Sequence, residues 1–134
     1  MTTPLAPMPP LLPTPAHMQR SEGLLHLPAA GVILIEAQPA QSILGAARLL
    51  QETLRTFCGR DWPLVAGDAG LGDAFAIGLN LTPGSTFHPE GYALTMTPSR
   101  VDAVASTPAG IFYAVQTLRQ IAATAGAQWP LLRI

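Results

Sequence analysis

Charge is what this sequence has least of. Only 11% of its 134 residues are Asp, Glu, Lys or Arg, and the seven basic residues are all arginines, scattered singly from Arg20 to Arg133. Against eight acidic residues the formal net charge is −1. No patch is dense enough to compete for phosphate backbones, so nucleic-acid binding is not expected. A single cysteine, Cys58, excludes an internal disulfide, a CxxC redox pair and a thiolate metal cluster. Aromatic residues make up 6%, which leaves Trp62 and Trp129 outside any evident row of rings. Proline, glycine and charge break every apolar run before the roughly 20 residues that span a bilayer, so no membrane span is expected. Residues 1–15 lack the basic start and unbroken apolar stretch of a signal peptide.

What the chain does have is aliphatic mass. Hydrophobic residues make up 49% of a length that suits one domain with a real core. Residues 1–11 form a proline-rich lead-in, with Pro4, Pro7, Pro9 and Pro10 followed by Pro13 and Pro15, where extended backbone is favoured over helix. Residues 12–134 are read as the single domain. Gly23–Leu27 reads as a short strand ended by Pro28. Val32–Glu36 is apolar on both faces and suits an interior strand.

From Pro39 the period changes. Ile43, Leu44, Ala47, Leu50, Leu54 and Phe57 recur at helical spacing opposite Arg48, Gln51, Glu52 and Arg55, with Gly59 placed to end the helix in the left-handed conformation. Gly45 weakens the middle of this helix by up to about 1 kcal/mol relative to alanine, unless a neighbouring backbone needs the space. Trp62–Val65 reads as an edge strand, Gly67–Gly72 as a turn-rich connection, and Phe75, Ile77 and Leu79 as the inward set of another strand. After the loop Thr82–Pro89, Tyr92–Met96 and Val101–Ser106 are joined by so short a turn that they should form an antiparallel hairpin.

The second helix has the clearest start. Thr107 offers a capping oxygen and Pro108 tolerates the first helical position. Ile111, Phe112, Val115, Leu118 and Ile121 or Ala122 form its apolar stripe, and Gly126 ends it. Burying four large side chains contributes roughly 1.5 to 3 kcal/mol each before entropy is subtracted. The expected core anchors are Leu50, Leu54, Phe112, Val115 and Leu118. Phe112 is the largest, and its replacement by alanine costs about 3 to 5 kcal/mol if the ring is buried. Tyr113, Gln116, Thr117, Arg119 and Gln120 make the polar face. Trp129–Ile134 is extended and apolar, which points to a chain leading on into a further domain.

Catalytic constellations are not evident. His17, His26 and His88 stand apart from any HExxH or HxH spacing and are read as structural. Asp68 and Asp73 read as turn formers, Asp102 as the solvent side of a strand beside Arg100, and neither these nor Glu90 form an adjacent acid pair. Cys58 lies at a helix C-terminus, where the dipole disfavours a thiolate, and is read as a partly buried structural thiol. Gly67–Gly72 lacks the Gly-Lys-Ser/Thr ending of a phosphate loop, and no serine sits in a GxSxG elbow. No catalytic, cofactor-binding or metal-binding residue is assigned, and no cofactor is expected.

Three stretches together resemble one known module. Leu12, Pro13, Thr14 and Pro15 are similar to the (I/L)PxP start of the N-terminal domain of family 20 glycoside hydrolases, the β-N-acetylhexosaminidases. Glu90, Gly91, Tyr92, Ala93 and Leu94 resemble its EGY.L strand. Thr107–Gln120, TPAGIFYAVQTLRQ, resembles its AGxFYGxQTLxQ helix, with Ala114 in place of the usual glycine. The resemblance covers nearly the whole chain, and the helix motif is its most specific part.

The resemblance implies an α/β, α+β-like domain of zincin-like topology, with one mostly antiparallel or mixed sheet and two helices packed on one face. It also implies a following (β/α)8 barrel, absent from this sequence, as the domain's partner in the same polypeptide. An adjacent Asp-Glu pair in that barrel cleaves terminal N-acetylhexosamine residues from glycans. No position here matches that pair. Tyr113, Gln116 and Arg119 become the candidate interdomain contacts. The parent's compartment stays open, periplasmic or secreted included. A different reading makes the chain a stand-alone carbohydrate-binding or protein-interaction module, with Trp62 and Trp129 stacking on sugars. A third makes it a small independent enzyme.

Overall fold

The computed structural model describes residues 19–37, 40–66, 75–83 and 91–133. The proline-rich lead-in, the Leu12–Pro15 stretch, Pro39, the Gly67–Gly72 connection, His17, Asp68, Asp73, His88 and Glu90 lie outside the described residues, as does most of the Thr82–Pro89 loop.

Seven strands form one sheet. They are β1 (Gln19–His26), β2 (Val32–Glu36), β3 (Leu64–Ala66), β4 (Ala76–Leu81), β5 (Tyr92–Thr97), β6 (Arg100–Ala105) and β7 (Gln128–Arg133), in the order β1-β7-β5-β6-β4-β2-β3. The sheet is mixed rather than mostly antiparallel. β3, β2, β4 and β6 are mutually parallel neighbours, while β5, β7 and β1 run antiparallel to theirs. The helical crossover between β2 and β3 explains part of this. The helix carries the chain back to the end of the sheet where β2 began, so β3 enters in the same direction and the two strands pair in parallel.

The helices are α1 (Leu44–Thr53), continued by a π-helical turn (Leu54–Cys58), and α2 (Pro108–Ala125). They lie side by side on one face of the sheet, α1 over β2 and β3, α2 over β5, β6 and β7. Between the layers sit Ile33, Ile35, Ile77, Leu79, Leu94, Val101 and Ala103 from the strands, and Ala47, Leu50, Leu54, Ile111, Val115 and Leu118 from the helices.

Residues 40–43 are a 3-10 turn, so Gly45 falls in the first turn of α1 rather than its middle. The π turn also departs from a regular stripe. With the Gly59 N–H bonded back to the Leu54 carbonyl across the wider turn, Cys58 takes the buried position and Phe57 is left 45% exposed. Gly59 then ends the helix at φ 65°, the left-handed conformation.

In α2 the Thr107 hydroxyl accepts from the Gly110 N–H at 3.2 Å, and Gly126 closes the other end. Phe112 corrects the sequence expectation, because its ring is 45% exposed. At about 100° per residue the buried arc is centred between Ile111 and Ala114 and includes Gly110, Thr117 and Ile121. Phe112 falls on its flank, beside Arg119 two turns later.

Close approach to the sheet fixes where α2 starts. A Cβ at Gly110 would strike the Gly91 carbonyl oxygen and come within 2.7 Å of the Ala105 Cβ. Only glycine lets the first turn of the helix rest on the hairpin.

Candidate functional site

The outer side of the helical layer carries the exposed aromatic surface. Phe57 and Phe112 are the large hydrophobic side chains left exposed among the described residues. The Phe112 ring meets that of Tyr113 edge-on, centroids 6.0 Å apart at 68°. Tyr113, Gln116 and Arg119 are all half-buried on α2. Gln116 Oε1 accepts from Arg119 Nη1 at 3.5 Å, at the limit of a hydrogen bond. Arg119 Nε is buried and has no hydrogen-bond partner among the described residues. Leaving such a donor without an acceptor costs about 1 to 3 kcal/mol, more when it belongs to a charged group.

Arg119 also lines a cleft of about 200 Å³ between the helices, with Leu49, Glu52, Thr53, Thr56 and Phe57 on the α1 side. Thr53 turns its hydroxyl back to the Leu49 carbonyl at 2.8 Å and so offers the cleft no free donor. Helical periodicity therefore places Tyr113, Gln116 and Arg119 together, and the cleft draws in Phe57, which sequence reasoning had assigned to the apolar stripe.

A second polar group lies on the opposite face of the sheet, at the register rows of β2, β4 and β6. Arg100 crosses over Gly78, where a Cβ would come within 2.7 Å of its Nη2. It donates from Nε to Asp102 at 2.7 Å and from Nη2 to Glu36 at 3.2 Å, and Glu36 also accepts from Asn80 at 2.7 Å. The hydrogen bond to Asp102 is the largest cause raising the Arg100 pKa, against the lowering effect of burial. All three charged side chains are 29 to 40% exposed, so each pair contributes under about 1 kcal/mol. The network stitches three parallel strands together. Both carboxylates are engaged by one guanidinium.

The remaining candidates have structural surroundings. Trp62 is 1% exposed, packs on Gly31 and stands 5.5 Å from the Phe75 ring; Trp129 is fully buried and donates to the Gly126 carbonyl at 2.7 Å. Neither ring is open to stack on a sugar, which corrects the role the carbohydrate-binding alternative gave them. Cys58 is buried and donates to the same Gly126 carbonyl at 3.1 Å, and burial pushes its thiol pKa up. His26 is exposed on β1. Among the described residues no three of His, Cys, Asp and Glu lie close enough to hold a metal ion. No helix among them is long and apolar enough to cross a membrane.

Over residues 8–134 the sequence matches Glycosyl hydrolase family 20, domain 2. The chain belongs to that family. Its solved relatives agree, the domain aligning with their N-terminal regions. β-N-acetylhexosaminidase from Bacteroides fragilis is 26% identical with a TM-score of 0.65, over 92% of this chain and 24% of that one. Streptomyces plicatus N-acetyl-β-hexosaminidase, in complex with Thio-NAglucal, is 25% identical with a TM-score of 0.71, over 96% of this chain and 27% of that one. The exo-β-N-acetylglucosaminidase of Vibrio harveyi shares the fold at 20% identity, TM-score 0.72, over 100% of this chain and 20% of that one. No curated protein sequence matches. The family 20 domain thus spans about a quarter of the length of these relatives.

Proposed function

We propose that this family 20 domain is the non-catalytic N-terminal module of a β-N-acetylhexosaminidase, and that it packs against and stabilises a (β/α)8 barrel in the same polypeptide. The barrel hydrolyses terminal non-reducing N-acetylhexosamine residues, and the substrates are the glycans that carry them. The zincin-like topology implied by the resemblance belongs to the same proposal and concerns chain path alone.

The observation that carries this reading is the helical layer's outer side. Phe57 and Phe112, each 45% exposed, leave that surface with apolar area to cover. The share of the relatives' length that the domain spans supports it, since a catalytic region accounts for what remains of a glycosidase of that size.

The test uses the full-length polypeptide that carries this domain. It hydrolyses an aryl N-acetylglucosaminide, whereas residues 1–134 alone do not; hydrolysis by the short chain would overturn the non-catalytic assignment. Alanine at Tyr113, Gln116 and Arg119 together lowers both thermal stability and activity of the full-length enzyme. If both stayed unchanged, an interdomain role for the three would be untenable.

A further inference from the structure

The two strands at one end of the sheet are joined to the rest of it by very little ladder. β1 pairs with β7 alone, and among the described residues β7 meets β5 at one register pair, Thr95 with Arg133. β5 and β6, by contrast, stay paired along all six of their residues. We infer that β1 and β7 form a ribbon that opens from the domain as one unit, and that Arg60 is the latch that holds it shut.

The sequence of the ribbon accounts for the weak junction. Pro130 lies in the middle of β7 and has no N–H to give to a neighbouring strand. The β1–β7 ladder itself slips between Arg20 and Leu24, where Gly23 takes φ 95°. Side-chain burial seats the ribbon instead. Leu25, Leu27 and Trp129 are at most 2% exposed and enter the core shared with the helices. Apolar burial is non-directional, so it fixes the ribbon's position less tightly than a ladder does. The chain joins the ribbon through small residues of the kind that absorb backbone rotation, Gly126 at φ 64°, ψ −129° and the exposed Ala29 and Ala30 after Pro28.

Arg60 supplies the direction that burial lacks. From just beyond the end of the first helix it donates Nε and Nη2 to one acceptor, the Leu27 carbonyl, at 3.1 and 2.9 Å, while Nη1 donates to the Cys58 carbonyl at 3.2 Å. A charged donor makes such bonds stronger than those between neutral groups. The Leu27 N–H donates to the Ala127 carbonyl at 2.9 Å, so the residue that Arg60 grips is also bonded to the chain entering β7. The Gly126 carbonyl adds a smaller tie across the same seam, accepting from Cys58 Sγ at 3.1 Å and from Trp129 Nε1 at 2.7 Å. Lifting the ribbon breaks these contacts and leaves the ladders of β5, β6, β4, β2 and β3 paired. Such an opening lies below global unfolding in free energy.

Hydrogen exchange read by mass spectrometry on the full-length polypeptide, in urea below its unfolding transition, tests the unit. Peptides over 19–27 and 128–133 are expected to exchange through one shared opening, with a weaker urea dependence than peptides over 76–81 and 100–105. Exchange of the two ribbon strands at unrelated rates, or with the same urea dependence as β4 and β6, overturns the ribbon.

Arg60→Met keeps the bulk of the side chain and removes its donors. It is expected to speed ribbon exchange about tenfold, with Arg60→Lys falling between it and the unsubstituted protein. Unchanged exchange overturns the latch, and Arg60→Lys carries the same comparison should Arg60→Met not fold. Tyr92→Phe is the control, because the Tyr92–Thr117 bond joins β5 to α2 and survives ribbon opening. That variant should speed exchange in 76–81 and leave 19–27 and 128–133 unchanged. Equal acceleration of all these peptides means that the ribbon opens only with the whole domain, and overturns the inference.

Discussion

Tyr92 Oη and Thr117 Oγ1 stand 2.5 Å apart, joining β5 to the middle of α2. Thr117 also donates to the Tyr113 carbonyl one turn back, so Tyr92 is the donor of the pair. Two stretches that look unrelated in sequence, Gly91–Leu94 and Thr107–Gln120, are thereby one contact. Gly110 seats the helix on the Gly91 carbonyl, and Thr117 receives the phenol of the next residue.

Removing that phenol tests the joint. Tyr92→Phe is expected to cost about 1 kcal/mol in urea denaturation, the net value of one hydrogen bond. A double-mutant cycle with Thr117→Val should return a coupling energy of about 0.5 to 1.5 kcal/mol. Additive single effects would show that the two side chains do not support one another.

Two glycines should respond to alanine with opposite signs. Nothing lies within 4 Å of a Cβ built at Gly45, so Gly45→Ala gains helix propensity and stabilises by about 0.5 kcal/mol. At Gly110 the added methyl meets the Gly91 carbonyl and Ala105, and overpacking should cost about 1 to 3 kcal/mol despite the same propensity gain. Thermal denaturation of the two variants checks the contrast. Equal shifts would mean that α2 does not rest on the hairpin as described.

The Cys58 thiol makes stability depend on alkaline pH. Burial raises its folded-state pKa, so the folded protein keeps the proton that the unfolded chain releases above about pH 8.5. The folded state then binds more protons than the unfolded one, and stability falls as pH rises through that range. Cys58→Ala should flatten this part of the profile in equilibrium unfolding between pH 8 and 10, and an unchanged slope would place its origin elsewhere. Labelling of Cys58 by a thiol reagent at pH 8 should be much slower in native protein than in denaturant.

Much of the fold was legible because its signals are local. Thr107 and Pro108 start α2, Gly126 and Gly59 end the helices, and the short turn after Thr97 forces the hairpin. The errors came from what local pattern does not encode. The buried arc of α2 includes Gly110, Ala114 and Thr117, side chains with little hydrophobic weight, so the large ring of Phe112 pulls the apparent stripe toward itself by about one residue. The Phe57 position depends on a single widened turn, which no periodicity announces.

The parallel half of the sheet follows from a crossover that the strand, helix, strand order already contains, whereas the burial of Trp62 and Trp129 is set by contacts far along the chain, Ala29 and Gly31 for one and β1 for the other. The candidate interdomain residues were readable as the polar face of α2. The cleft they border was not, because its other wall is α1.

The docking role of the helical face is tested most directly by Phe57→Ser with Phe112→Ser, measured as thermal unfolding in residues 1–134 and in the full-length polypeptide. With both rings 45% exposed, the short chain should lose no more than about 1 to 2 kcal/mol. In the full-length protein the same pair should lower the melting temperature further and reduce hydrolysis of an aryl N-acetylglucosaminide. Equal losses in the two proteins, with hydrolysis unchanged, would contradict a face built to pack against a catalytic partner.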